Sequence, residues 1–172
     1  GRGSGDMMGG FAYLYWCKAG VGPAATDAGG EASRPKYNGM FSASGPPLDR
    51  LRHSCEFGYR EQSELKAEYG HVLGCPLCTL GSEVSTQESV LRVKIQGIMD
   101  QVRKYIESTL RDAHAAGLIH APDAVSKARM LYAYYEGSMT QARTEDDVGL
   151  LPVQCSRPVE RLALRAPAVV PR

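Results

Sequence analysis

Residues 85–116 read STQESVLRVKIQGIMDQVRKYIESTLRDAHAA. Within them Leu91, Ile95, Ile98, Val102, Ile106, Leu110 and Ala113 recur at steps of three and four, which sets all seven on one side of an α-helix. Ser85 and Glu88 match a capping box, so the helix is expected to begin there. Gly117 is expected to end it, because glycine takes the left-handed conformation that closes a helix. A long helix with one apolar stripe is stable only when that stripe is buried, so neighbouring helices are required.

The flanking sequence supplies them. Pro46 and Pro47 suit a helix start, and Leu48, Leu51, Cys55, Tyr59, Leu65, Tyr69, Val72 and Leu73 follow mostly at helical steps. Gln62 interrupts that series between Tyr59 and Leu65. Gly70 and Gly74 break it, and Pro76 to Val84 reads as a short helix. Pro122 and Asp123 open a last helix with the stripe Val125, Ala128, Leu131, Tyr132, Tyr135, Met139 and Ala142. Its end is expected near Glu145-Asp146-Asp147 and Gly149. Residues 47–150 thus read as an all-α bundle.

The chain has 172 residues with 20 basic and 19 acidic side chains, a net charge of +1. That size suits one domain, and that balance argues against a generally basic nucleic-acid coat protein. No run of about 18 apolar residues exists, so no membrane span is expected. Five cysteines, an odd number, point to free thiols in a reducing cytoplasm. Residues 1–46 hold 11 of the 19 glycines and are expected to be irregular. Residues 151–172 form a tail with Pro152, Pro158, Pro167 and Pro171, which oppose a long helix.

The run Gly74-Cys75-Pro76-Leu77-Cys78-Thr79-Leu80-Gly81-Ser82-Glu83-Val84 resembles the GCPLG-x-LA-x-E segment of one group of TetR-family transcriptional regulators. It follows Pro47-Leu48-Asp49-Arg50-Leu51, similar to that group's P-L-x-R-L. It precedes Ala115-Ala116-Gly117-Leu118-Ile119 and Glu136-Gly137-Ser138-Met139, in the order the group shows. The resemblance covers roughly residues 47–150, the C-terminal domain that binds ligand and dimerises in such regulators. It implies a ligand- or thiol-responsive repressor, a homodimer, a small apolar or electrophilic effector, and operator DNA as partner where a helix-turn-helix is intact. Residues 1–46 do not match that motif; Ala19-Gly20-Val21-Gly22 echoes it faintly. The chain opens on Gly1 and its first Met is Met7. The expected reading is therefore a regulatory domain without a competent DNA-binding head, and a truncated or frame-shifted product is its alternative.

The resemblance places a ligand pocket among helices 48–69, 88–116 and 123–142, with Phe57, Tyr59, Met99, Val102, Ile106, Tyr132 and Tyr135 as its expected lining. Met130, Tyr134, Gly137, Ser138 and Gln141 are the expected dimer contacts, the small residues allowing close helix approach. Cys75 and Cys78 are the expected thiol sensor. A cysteine at a helix N-terminus has its thiolate favoured by the dipole, and related regulators react with electrophiles or oxidants at the position matching Cys75. Cys78 replaces a glycine of that group and could act as a resolving thiol.

A rival reading makes the chain a small redox or metal-binding helical protein using Cys75 and Cys78. His71, Cys75 and Cys78 have the spacing H-x3-C-x2-C, with Cys55 as a fourth ligand, but one cluster without a second paired motif leaves no metal and no cofactor expected. No G-x-S-x-G, H-E-x-x-H or phosphate loop is present, so no enzyme is expected.

Overall fold

The computed structural model describes residues 23–152. They form five α-helices: α1 (Pro23–Met40), α2 (Pro47–Tyr69), α3 (Pro76–Val84), α4 (Ser89–Ala115) and α5 (Ala124–Glu145). The fold is all-α, a helical bundle of the kind that the TetR resemblance implies. The 27-residue α4 is its axis and packs against each of the other four helices. The stripe read from sequence is the buried one: Leu91, Ile95, Val102, Ile106, Leu110 and Ala113 face inward, and Leu110 is fully buried. Each such Leu or Ile side chain contributes about 1.5–3 kcal/mol on leaving water.

Helix ends follow local chemistry. Pro47 starts α2, and Gly70 ends it at φ 84, its N–H bonding the Lys66 carbonyl at 2.8 Å. Gly117, at φ 70, closes α4 with a Schellman pair: its N–H meets the His114 carbonyl, and the Leu118 N–H meets that of Ala113. Asp123 caps α5 by accepting the Ser126 N–H at 3.1 Å.

Two expectations are corrected. The capping box does not form: α4 begins at Ser89, and Ser85 instead ends α3, its hydroxyl donating to the Gly81 carbonyl. Its side chain is thereby occupied one helix earlier. Residues 23–40, expected to be irregular, form α1 in spite of Pro35. The reason is tertiary. Tyr37, Met40 and Phe41 join the main core, and Phe41 and Tyr37 stack on Tyr105 of α4. Gly30 lets the helix approach α4: a Cβ there would stand 3.0 Å from Ile98. Residues 1–22 and 153–172 lie outside the described residues.

Arg50 fastens the turn between α1 and α2. Its guanidinium, almost wholly buried, donates to the carbonyls of Ala43 (3.1 Å) and Gly45 (2.9 Å) and pairs with Asp112 of α4 at 2.6 Å. No helix among the described residues is long and apolar enough to cross a membrane.

Candidate functional site

The loop 70–75 delivers the thiols and is held from both sides. From α2, Gln62 Oε1 accepts the N–H groups of Leu73 (3.1 Å) and Gly74 (2.8 Å), while its Nε2 donates to the Gly74 carbonyl at 3.2 Å. Gln62 is 1% exposed, so its break in the apolar series is a buried polar clamp. From the end of α5, Asp146 accepts the Val72 N–H at 2.8 Å and pairs with Lys66 and His71. Val72 is buried with Met139, Ala142 and Leu151.

Gly74, at φ 72, turns the chain into α3 and lies against Arg143. Arg143 in turn donates to Thr79 at 2.6 Å. Cys75 is the N-cap of α3, Pro76 occupies the first turn, and Cys78 lies one turn on. Both thiols are free and half-buried. Opposite them stands Glu136, from the middle of α5. One donor atom each of Cys75, Cys78 and Glu136 lies within 4.8 Å of the others.

The electrostatics reverse one expectation. The Cys75 thiol is pushed well above its ordinary range by its hydrogen bond with Cys78, by burial and by the Glu136 charge. The Cys78 backbone N–H opposes this, as a helix N-terminus should, but is outweighed. Cys75 therefore rests as a thiol, not as the thiolate expected from its helix position. The Tyr132 hydroxyl is raised by burial, by the Glu136 charge and by the Cys75 sulfur. Tyr37 is raised by burial and by Cys75 and two carboxylates. The two phenols, two thiols and Glu136 are thus one electrostatic neighbourhood.

The expected ligand residues divide. Val102, Ile106 and Tyr132 lie in the main core, and Met99 joins it to the cluster of Leu77 and Ile95 under α3. Tyr135 belongs to a separate cluster with Val72 and Met139. Phe57 and Tyr59 do not join the interior group. Phe57 lies under the charges of Lys36 and Arg60, 5.5 and 5.7 Å from its ring, and Tyr59 is 40% exposed. They flank the buried stripe of α2, Phe57 half-buried and Tyr59 exposed, because Leu51, Gly58, Gln62 and Leu65 take the buried positions. An open groove of about 320 Å³ lies between α1 and α4, with Tyr37, Ile98, Val102 and Tyr105 on its walls together with the charged Glu31, Arg34 and Lys94.

The expected dimer residues divide as well. Met130 is 68% exposed, and Tyr134, Gly137 and Gln141 share that open face of α5. Ser138 points inward, and its hydroxyl bonds the Tyr134 carbonyl at 2.8 Å. His71 is exposed and turned toward Asp146, so it does not join the cysteines. Glu136 and Tyr37 were not foreseen. For Glu136 a signal existed, a carboxylate one turn after Tyr132 inside an apolar stripe.

The family model described as "Tetracyclin repressor-like, C-terminal domain" matches residues 47–152. No curated protein and no solved structure shows significant similarity to the chain. The family match begins at the Pro47 that opens α2 and ends just past the buried Leu151, so it takes in the thiol loop and both helices that hold it. The chain belongs to the TetR family of transcriptional regulators, and residues 47–152 are its C-terminal domain.

Proposed function

We propose that this chain is the effector-sensing part of a TetR-type repressor and that its input is read at Cys75. The observation that carries the reading is the Gln62 clamp. The residue before Cys75 is bonded on both its N–H and its C=O to a side chain of α2. A group added to Cys75 needs space next to Gly74, and displacing Gly74 breaks bonds to α2. Two arrangements of the same loop, one clamped and one released, are the bistable element that a switch requires. Movement of α2 would then alter the spacing of two DNA-binding heads in a homodimer. The open face of α5, with Met130, Tyr134, Gly137 and Gln141, supports a contact between two copies. With a hydroperoxide as oxidant, Cys75 would become a sulfenic acid, and the Cys78 thiol, hydrogen-bonded with it, would displace that hydroxyl as water to form the disulfide.

A second input, binding of a small effector, is supported by the groove beside Val102 and Tyr105, where Glu31, Arg34 and Lys94 would recognise a polar group on it. The test of the thiol reading is alkylation of the reduced chain with N-ethylmaleimide, followed by peptide mapping and hydrogen exchange. Modification of Cys75 should speed exchange at Leu73, Gly74 and the second half of α2. Full modification with unchanged exchange there would sink the reading.

A further inference from the structure

We propose that Cys75, Cys78 and Glu136 form a binding site for a thiophilic divalent cation of the zinc type. Their donor atoms, two sulfurs and one carboxylate oxygen, lie within 4.8 Å of one another, and they are such a group among the described residues. They come from the start of α3 and the middle of α5, so the fold, not the local sequence, assembles them. A tetrahedral zinc with sulfur at about 2.3 Å and oxygen at about 2.0–2.2 Å needs donors roughly 3.5–3.8 Å apart. A contraction of about an ångström reaches that geometry.

The independent observation is Glu136. The residue is 9% exposed, and its Oε2 is buried with no hydrogen-bond partner among the described residues. A buried carboxylate oxygen without a donor is costly, and a bound cation would satisfy it. The Tyr132 hydroxyl interacts with the same carboxylate, as an outer partner orients a metal ligand. The donor set selects the cation. Calcium and magnesium take six or more oxygens, whereas thiolates favour zinc, cadmium or cobalt(II). On binding, each thiol gives its proton to the buffer as its sulfur–metal bond forms, and no electrons are transferred. Three protein donors leave a fourth position for water or an effector atom. The ligand set differs from H-x3-C-x2-C, because His71 is exposed and engaged with Asp146 at 3.6 Å.

The test is titration of the reduced, metal-free full chain with cobalt(II), then displacement by zinc(II). Equimolar binding with sulfur-to-cobalt charge-transfer absorption and tetrahedral d–d bands is expected. Cys78→Ser should abolish most of that absorption. Glu136→Gln should weaken binding by more than the roughly 10–100-fold that loss of an outer-shell partner costs. His71→Ala should leave it unchanged. Circular dichroism checks the fold of each variant, and Glu136→Asp, with the same charge and a shorter reach, serves if Glu136→Gln does not fold. The proposal is overturned by absence of the charge-transfer band in wild type, by Glu136 variants that bind as tightly as wild type, or by loss of binding in His71→Ala. Alkylation of Cys75 persists in Glu136→Gln, so the cation proposal and the thiol-sensing reading fail separately.

Discussion

Gln62 acts on Gly74 as one base of a pair acts on another: its Oε1 takes the glycine N–H at 2.8 Å, and its Nε2 gives to the glycine carbonyl at 3.2 Å. A side chain twelve residues upstream thereby sets the backbone from which Cys75 projects. Breaking this clamp leaves two loop N–H groups and a carbonyl poorly satisfied in a buried place. Gln62→Leu is expected to cost about 2–4 kcal/mol in a denaturant melt and to raise the rate of Cys75 alkylation. An unchanged melting midpoint would remove the clamp from the argument.

Gly58 faces Tyr135. A Cβ at position 58 would fall inside contact distance of the Tyr135 hydroxyl and 3.3 Å from two ring carbons. Gly58→Ala should therefore destabilise by about 1–3 kcal/mol through overpacking. Adding Tyr135→Phe removes the oxygen that meets the methyl. The double variant should recover at least about 0.5 kcal/mol relative to the sum of the singles, and strict additivity would refute the contact.

Asp146 carries a pH dependence. Its carboxyl is held below the ordinary aspartate value by the Val72 N–H and by Lys66 and His71. A depressed folded pKa gives stability that is present above the unfolded value and lost as pH falls through the folded one. The loss thus belongs to the acid range below the ordinary aspartate value of 3.8. Asp146→Asn keeps an acceptor for Val72 and tolerates the positive φ of 51. Its unfolding midpoint should fall less steeply with acid than that of wild type, and parallel curves would count against the assignment.

Arg50 joins the α1–α2 turn to α4 through two carbonyls and Asp112. Arg50→Met keeps the apolar stem but removes every donor. A loss of about 1–3 kcal/mol is expected, since the Ala43 and Gly45 carbonyls and the Asp112 carboxylate lose a charged donor. Arg50→Lys should recover only part of it, because one ammonium cannot serve three acceptors in a fixed fork. Chemical denaturation of both variants decides this.

Cys75 should react slowly at neutral pH, its thiol being held up by Cys78, burial and Glu136. Removing the Glu136 charge lowers that pKa and so raises the thiolate fraction at a given pH. Glu136→Gln should therefore speed alkylation of Cys75 near neutral pH and shift its rate–pH profile toward acid. A profile that does not move would show that the carboxylate does not govern the thiol.

The bundle was legible along the chain because helices are written in local order. The stripe from Leu91 to Ala113, Gly70 and Gly117 as stops, and Asp123 as a cap all depend on neighbours within a few residues. The motif from Gly74 to Val84 carried the family for the same reason. The capping box at Ser85 misled because two helices compete for one serine, and only their spacing in three dimensions settles which wins.

What the sequence determined alone was the set of helices α2 to α5, the thiol motif and the family. What the tertiary structure decided was everything that depends on distant residues meeting. Glycines oppose a helix at 23–40 locally, yet burial of Tyr37 and Phe41 on Tyr105 offsets them. The inner faces of Gln62 and Glu136 are fixed by packing, which periodicity reads only for apolar residues. The meeting of Glu136 with Cys75 spans 61 positions of the chain. No periodicity extends that far, because loop closure and core burial, not local propensity, bring such residues together.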